Sequence, residues 1–295
     1  YSPAMILTLI GFGPLFFRLR SHFWMVLIYT IINIYVVFSW QNWWYGGGFG
    51  ARPLVQSYAL LAFPLAAFLS WAWEKRQRTI FTGIFLLLCV DLNMIMTWQA
   101  HAGNGLWYGD GLTKAYYWKI FGKTNVPRMD RKFMDVRREL GSTEGMEITG
   151  LYVNDYESDT TAHRSNRRHA SGEFAALLNA EHQYTPSYTV SLRELDAVPG
   201  SWLRVEAMTY YEQMEWNLWQ MAQLSMVFTR DGKPYRQTTA RIQRAVEPWR
   251  WTHYDYEMRI PRKAQPDDIV KIYVWNAGGQ QEVFIDDLKV WLLEP

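Results

Sequence analysis

The chain has 295 residues, a net charge of +2 and a single cysteine, Cys89. A near-neutral balance gives no reason to expect nucleic acid as a partner, and one cysteine excludes a disulfide framework and a cysteine-based metal centre. The 49% hydrophobic content averages two unlike halves: Leu, Ile, Phe and Trp dominate up to about Trp98, and most of the charge lies beyond about Lys119.

The first half reads as four apolar runs. Run one, Ala4 to Phe17, is short for a span and contains Gly11, Gly13 and Pro14. The chain opens on Tyr rather than Met, so this run is expected to be completed by residues upstream, as in the C-terminal piece of a longer protein. Run two, Phe23 to Trp40, is long enough to cross the hydrocarbon. Run three, Leu54 to Trp73, contains Pro64, and run four, Thr79 to Trp98, carries Asp91 and Asn93. The expected architecture of this part is a membrane bundle of about four transmembrane helices. Arg18, Arg20, Lys75, Arg76 and Arg78 cluster at one set of run ends, and basic residues stay cytoplasmic. Everything after Trp98 is therefore expected outside, which in a bacterium means the periplasm, with the helices in the inner membrane.

Between runs two and three lies Trp43-Trp44-Tyr45-Gly46-Gly47-Gly48-Phe49-Gly50-Ala51-Arg52-Pro53. Glycines allow a sharp turn or a close approach to a ligand. The aromatics suit the headgroup level, and the guanidinium of Arg52 suits a phosphate or simply snorkels. Residues 99–144 read as an interfacial segment rich in aromatics, among them Trp107 and Tyr108, followed by a linker. That linker carries a short amphipathic helix on Phe133, Val136 and Leu140.

From about residue 145 the period changes to two. Leu203, Val205 and Ala207 alternate with polar residues; Val270, Ile272 and Val274 alternate with Lys271, Tyr273 and Trp275; Leu288, Val290 and Leu292 alternate with Lys289 and Trp291. Asp231-Gly232 and Gly278-Gly279 punctuate hairpins. About nine short strands at such spacing predict an all-β jelly-roll or β-sandwich domain over 145–295.

Two resemblances follow from these stretches. The glycine-rich loop between apolar runs resembles the outer loop in the C-terminal membrane region of bacterial polytopic glycosyltransferases. These are the GT-C type, related to protein mannosyltransferases and aminoarabinose transferases. The resemblance covers about residues 1–98 and implies a polyprenyl-phosphate-linked sugar as donor, with Arg52, Gly47, Gly48 and Gly50 near the carrier phosphate. The acidic catalytic residue of that family belongs to a loop that would precede Tyr1, so none is assigned here. The stretches Gly172–Leu178 and Val283–Val290 resemble paired strand signatures of carbohydrate-binding jelly rolls.

Other candidates carry alternatives. Asp91, with Asn93 nearby, is the only acid in an apolar run and is either functional or satisfied by a neighbour. Trp249 and Trp251, with Trp216 and Trp219, either stack on sugar rings or pack as core. Asp286 and Asp287 offer a weak candidate for a structural calcium site. His163 and His169 lack a third metal ligand. Two functions fit: the C-terminal part of a membrane glycosyltransferase, or a non-catalytic accessory subunit docking its periplasmic sandwich on other membrane or periplasmic subunits.

Overall fold

The computed structural model describes residues 3–41, 45, 50, 52–101, 106, 111–213 and 217–295. It divides into two compact units, residues 1–112 with 122–125, and residues 113–121 with 126–295.

The first unit is helical: α1 (Ile6–Arg18), α2 (Arg20–Phe38), α3 (Tyr58–Trp73) and α4 (Arg76–His101), with 3-10 turns at Pro3–Met5 and Arg52–Ser57. Among the described residues, three stretches are long and apolar enough to cross a membrane. These are Arg20–Phe38, Arg52–Trp73 and Arg76–His101, with mean hydropathy 1.7, 1.5 and 2.0. This corrects the expectation of four spans. Helix α1 has 13 residues, roughly 20 Å of rise against a hydrocarbon core of about 30 Å. It packs on α3 because Gly11 has no side chain: a Cβ there would overlap the backbone carbonyl of Pro64. At its end Arg18 pairs with Glu74 and donates to Ser70 Oγ at 2.6 Å, so the basic end of α1 is tied to the end of α3. The helices turn large apolar side chains outward, Phe17 (84% exposed) and Phe81 (73%) among them.

The second unit is a two-sheet antiparallel β-sandwich. Its strands are β1 (Glu147–Asn154), β2 (Arg164–Ser165), β3 (Ala175–Leu178), β4 (Tyr188–Ser191), β5 (Trp202–Tyr211), β6 (Gln223–Arg230), β7 (Lys233–Arg241), β8 (Thr252–Arg259), β9 (Ile269–Trp275) and β10 (Val283–Glu294). One sheet runs β2-β3-β10-β5-β8, with β1 also pairing β10; the other runs β4-β9-β6-β7. The alternation that predicts the strands also sorts their faces. Leu203, Val205, Leu224, Met226, Val270, Ile272 and Val274 are fully buried between the sheets. Tyr256 crosses that layer and donates its hydroxyl to the carbonyls of Leu224 and Thr238. Asp231 and Gly232, both at positive φ, make the β6–β7 turn, the backbone a two-residue hairpin loop requires.

The helical pieces of this unit among the described residues include α5 (Lys114–Ile120) and a 3-10 turn, Arg128–Met134. Thr113 caps α5 by accepting from the Tyr116 N–H at 3.1 Å. The stretch read as a linker is tied to the sandwich, with Phe133, Met134 and Val136 buried. Asp135 accepts from the Arg241 N–H at 2.9 Å, from Arg241 Nη1 at 2.5 Å and from Arg244 Nη1 at 2.8 Å. The short helix α6 (Ile242–Ala245), which carries Arg244, follows β7.

Candidate functional site

The outer face of the four-stranded sheet gathers aromatics with hydrogen-bonding side chains. Because Val270, Ile272 and Val274 face the core, pleating sends Lys271, Tyr273 and Trp275 to the opposite side. Strand register extends the rows: Trp275 is opposite Gln223, and Tyr273 is opposite Ser225, which is in turn opposite Thr239. An isolated bridge brings Tyr184 against Trp275. Their rings lie 6.0 Å apart at 5° between planes, and Tyr273 lies 5.9 Å from Tyr184. Tyr184 is 57% exposed. Burial raises the Tyr273 phenol above its ordinary pKa, so it remains a donor at neutral pH. Lys271 Nζ sits 5.5 Å over the Tyr273 ring. Two nearly parallel rings with Gln, Thr and Lys groups beside them, and Ser225 buried beneath, form a shelf suited to a flat apolar face bordered by hydroxyls.

The residues singled out in the sequence lie elsewhere. Trp251 is half-buried on the six-stranded sheet, against Leu177, Tyr210 and Phe284, and so serves packing. Trp249 is 56% exposed at positive φ, its N–H donating to the Tyr211 carbonyl at 2.7 Å. Trp219 is 71% exposed, and Trp216 lies outside the described residues. The shelf residues Tyr184, Tyr273 and Trp275 were not singled out. The signal for the last two was the alternation itself, whereas Tyr184 comes from a loop with no periodic cue.

Asp286 and Asp287 form a bulge in β10, with Asp287 at positive φ. The fully buried Asp286 carboxylate accepts from the N–H groups of Ala170, Ser171 and Asp287. Its Oδ2 anchors the loop before β3 while Oδ1 takes the Asp287 N–H of the bulge, and burial holds its pKa above the usual carboxylate value. No group of three His, Cys, Asp or Glu side chains placed to hold a metal occurs among the described residues. His163 stacks on His182 at 3.7 Å and 7°, not on His169.

In the helical unit, Gly47 and Gly48 lie outside the described residues, while Gly50 has φ +84° and its carbonyl accepts from the Arg52 N–H at 3.1 Å. Arg52 is exposed at the start of the turn leading into α3. Close by in sequence, Leu54 and Ser57 line a cavity of about 780 Å³ shared with Leu9, Thr30, Asn33 and Leu88. Asn33 Nδ2 donates to Ser57 Oγ at 2.7 Å inside it. Asp91 is exposed on α4, and Asn93 leaves its Oδ1 buried without a partner. Two residues apart on a helix, these side chains point away from each other and cannot pair.

No known family matches the sequence, and no curated protein matches it. Among solved structures, the sandwich resembles carbohydrate-binding modules. The C-terminal family 22 module of Clostridium thermocellum Xyn10B is 17% identical, covering 48% of this chain and 92% of that one, with a TM-score of 0.34. A family 22 xylan-binding domain is 19% identical over 51% of this chain and 88% of that one, at 0.30. The xylan-binding domain from Paenibacillus barcinonensis Xyn10C is 13% identical over 53% and 91%, at 0.28.

Proposed function

We propose that this chain is a membrane-anchored carbohydrate-binding protein: its helices span a bilayer, and its sandwich holds a glycan on the outer face of the four-stranded sheet. The observation that carries the reading is the shelf of Tyr184, Tyr273 and Trp275. A pyranose has an apolar face, which stacks on parallel rings, and an equatorial rim of hydroxyls, for which Gln223, Thr239 and Lys271 offer hydrogen-bonding groups. An aromatic stack is worth about 0.5–1.5 kcal/mol beyond area burial. The test titrates the purified full chain in detergent with a panel of soluble oligosaccharides, xylo-oligosaccharides included, by tryptophan fluorescence and calorimetry. Replacing both Tyr184 and Trp275 by Ala should weaken the best ligand by about tenfold, while Trp249→Ala leaves it unchanged. Absence of binding across the panel, or equal loss with Trp249→Ala, would overturn the reading.

A second reading is favoured by the apolar cavity lined by Leu54 and Ser57, which follow Arg52 in the turn leading into α3. In it, the helical unit is the C-terminal part of a glycosyltransferase-like protein that takes a polyprenyl-phosphate sugar. The isoprenoid lies in the apolar cavity between the helices, and the carrier phosphate meets Arg52. A guanidinium fork binds phosphate through paired, charge-assisted hydrogen bonds that an ammonium cannot reproduce. Arg52→Lys should therefore reduce the polyprenyl-phosphate lipid co-purifying with the chain, and Arg52→Ala should reduce it further, as counted by mass spectrometry. Equal lipid in all three proteins would leave Arg52 an interfacial anchor and remove this reading.

A further inference from the structure

A cavity of about 270 Å³ opens between β7, β8 and the strap that follows the Arg128–Met134 turn, and Thr239 at the border of the shelf also lines it. β7 and β8 are the end strands of their two sheets, so the cavity lies where the sandwich is open at one side. Its charged lining is Arg137 and Arg138 from the strap, Arg236 from β7, Arg259 and Glu257 from β8, and Asp135. Both acids are already used. Asp135 takes three donors from Arg241 and Arg244. Glu257 accepts from Arg204 at 2.7 Å through one oxygen and from the Leu140 N–H at 2.9 Å through the other. Arg259 donates its Nε to the Gly200 carbonyl, which neutralises none of its charge. Arg137, Arg138 and Arg236 are exposed and have no hydrogen-bond or ion-pair partner among the described residues.

Four guanidiniums around one cavity, with no carboxylate to spare, repel one another and raise the local anion concentration. From this we infer a binding site for a phosphate group, built on arginines that the aromatic shelf does not use. A carboxylate brings one charge. A phosphate monoester brings about −1.5 to −2 and three acceptor oxygens, matching several forks that approach from different strands. The volume, against about 30 Å³ for a water molecule, admits the phosphate and the atoms that carry it. The arrangement is built rather than incidental. The strap that supplies Arg137 and Arg138 is fastened through the buried Asp135 on one side and through the Leu140 N–H on the other.

The full chain in non-ionic detergent, at about physiological ionic strength so that diffuse surface attraction is screened, is dialysed against radiolabelled inorganic phosphate. Wild type should bind saturably. The double variant Arg138→Gln with Arg236→Gln should bind at least tenfold more weakly. Arg236→Lys, which keeps the charge, should fall between. Arg193→Gln serves as control because that exposed arginine pairs only with Asp267, and it should match wild type. Absence of saturable binding, or equal weakening by Arg193→Gln, overturns the site. Thermal melts of each variant separate loss of binding from loss of fold. Competition then assigns the source. Displacement of the label by glucose 1-phosphate ahead of dihexanoyl phosphatidic acid marks a soluble sugar phosphate, and the reverse order marks a lipid headgroup; either order upholds the site.

Discussion

Asp267 and Asp268 are adjacent, each is held by an arginine at 2.8 Å, and their surroundings make them energetically unlike. Asp267 and its partner Arg193 have side chains 81% and 67% exposed, where solvent screens the pair and its contribution is small. Asp268 is 1% exposed. It accepts from Arg230 Nε and Nη2, from the Tyr235 hydroxyl at 2.7 Å and from the Gln265 N–H at 2.9 Å. Those donors, the Arg230 guanidinium first, hold its carboxyl well below the usual carboxylate range. A folded pKa below the unfolded value of about 3.9 adds stability above that value and loses it as pH falls toward the folded one. The melting temperature of the sandwich, followed by near-ultraviolet circular dichroism on the full chain, should therefore drop between about pH 5 and pH 3. Asp268→Asn should lower it at neutral pH and flatten that acid slope, and Asp267→Asn should do neither. An unchanged slope in Asp268→Asn would assign the acid sensitivity to other carboxylates.

At the scale of elements, sequence patterns of one period were legible and non-local pairings were not. Apolar runs marked α2, α3 and α4 because length and hydropathy are properties of a continuous stretch. The alternation around Val205, Ile272 and Val290 marked β5, β9 and β10, and through them the core. β2 escaped because Arg164-Ser165 has no alternation to read; it is a strand only because β3 lies beside it. The strap reads in sequence as a linker with a short amphipathic helix on Phe133, Val136 and Leu140, whereas the structure has a 3-10 turn, Arg128–Met134, and no helix over 135–140. Its anchoring Asp135–Arg241 pair is separated by 106 residues, and nothing local signals such a partner. The aromatic shelf was half legible. Tyr273 and Trp275 follow from the pleat of β9, but Tyr184 joins them through a bridge set by tertiary packing. Trp249 and Trp251 attracted notice by residue type alone, and residue type does not say which sheet a side chain faces. Of the pair Asp286-Asp287, residue type alone does not show that backbone N–H groups occupy the Asp286 carboxylate.

For the whole molecule, the sidedness of the sandwich depends on α4 alone. Lys75, Arg76 and Arg78 lie at the start of that helix and the β-sandwich follows its end. If α4 crosses the bilayer once, these two parts are on opposite faces, whatever α1 does. Its 26 residues rise about 39 Å at 1.5 Å each, enough for a core of about 30 Å. Basic residues are retained in the cytoplasm, and on that rule we propose that the sandwich lies on the outer side of the membrane, where the proposed glycan would be met. Cysteine labelling can read this directly, because Cys89 is the single native cysteine and is buried within α4. Ser171 is exposed, and only its backbone N–H is engaged, by Asp286, so a cysteine there leaves the fold intact. In intact spheroplasts, Ser171→Cys should react with a membrane-impermeant maleimide, and Gln77→Cys should react only after lysis. The opposite pattern would place the sandwich in the cytoplasm and remove the glycan from its reach. Labelling of both sites before lysis would mean that α4 does not cross, and that the outward-facing Phe81 and its neighbours are covered by another protein rather than by lipid.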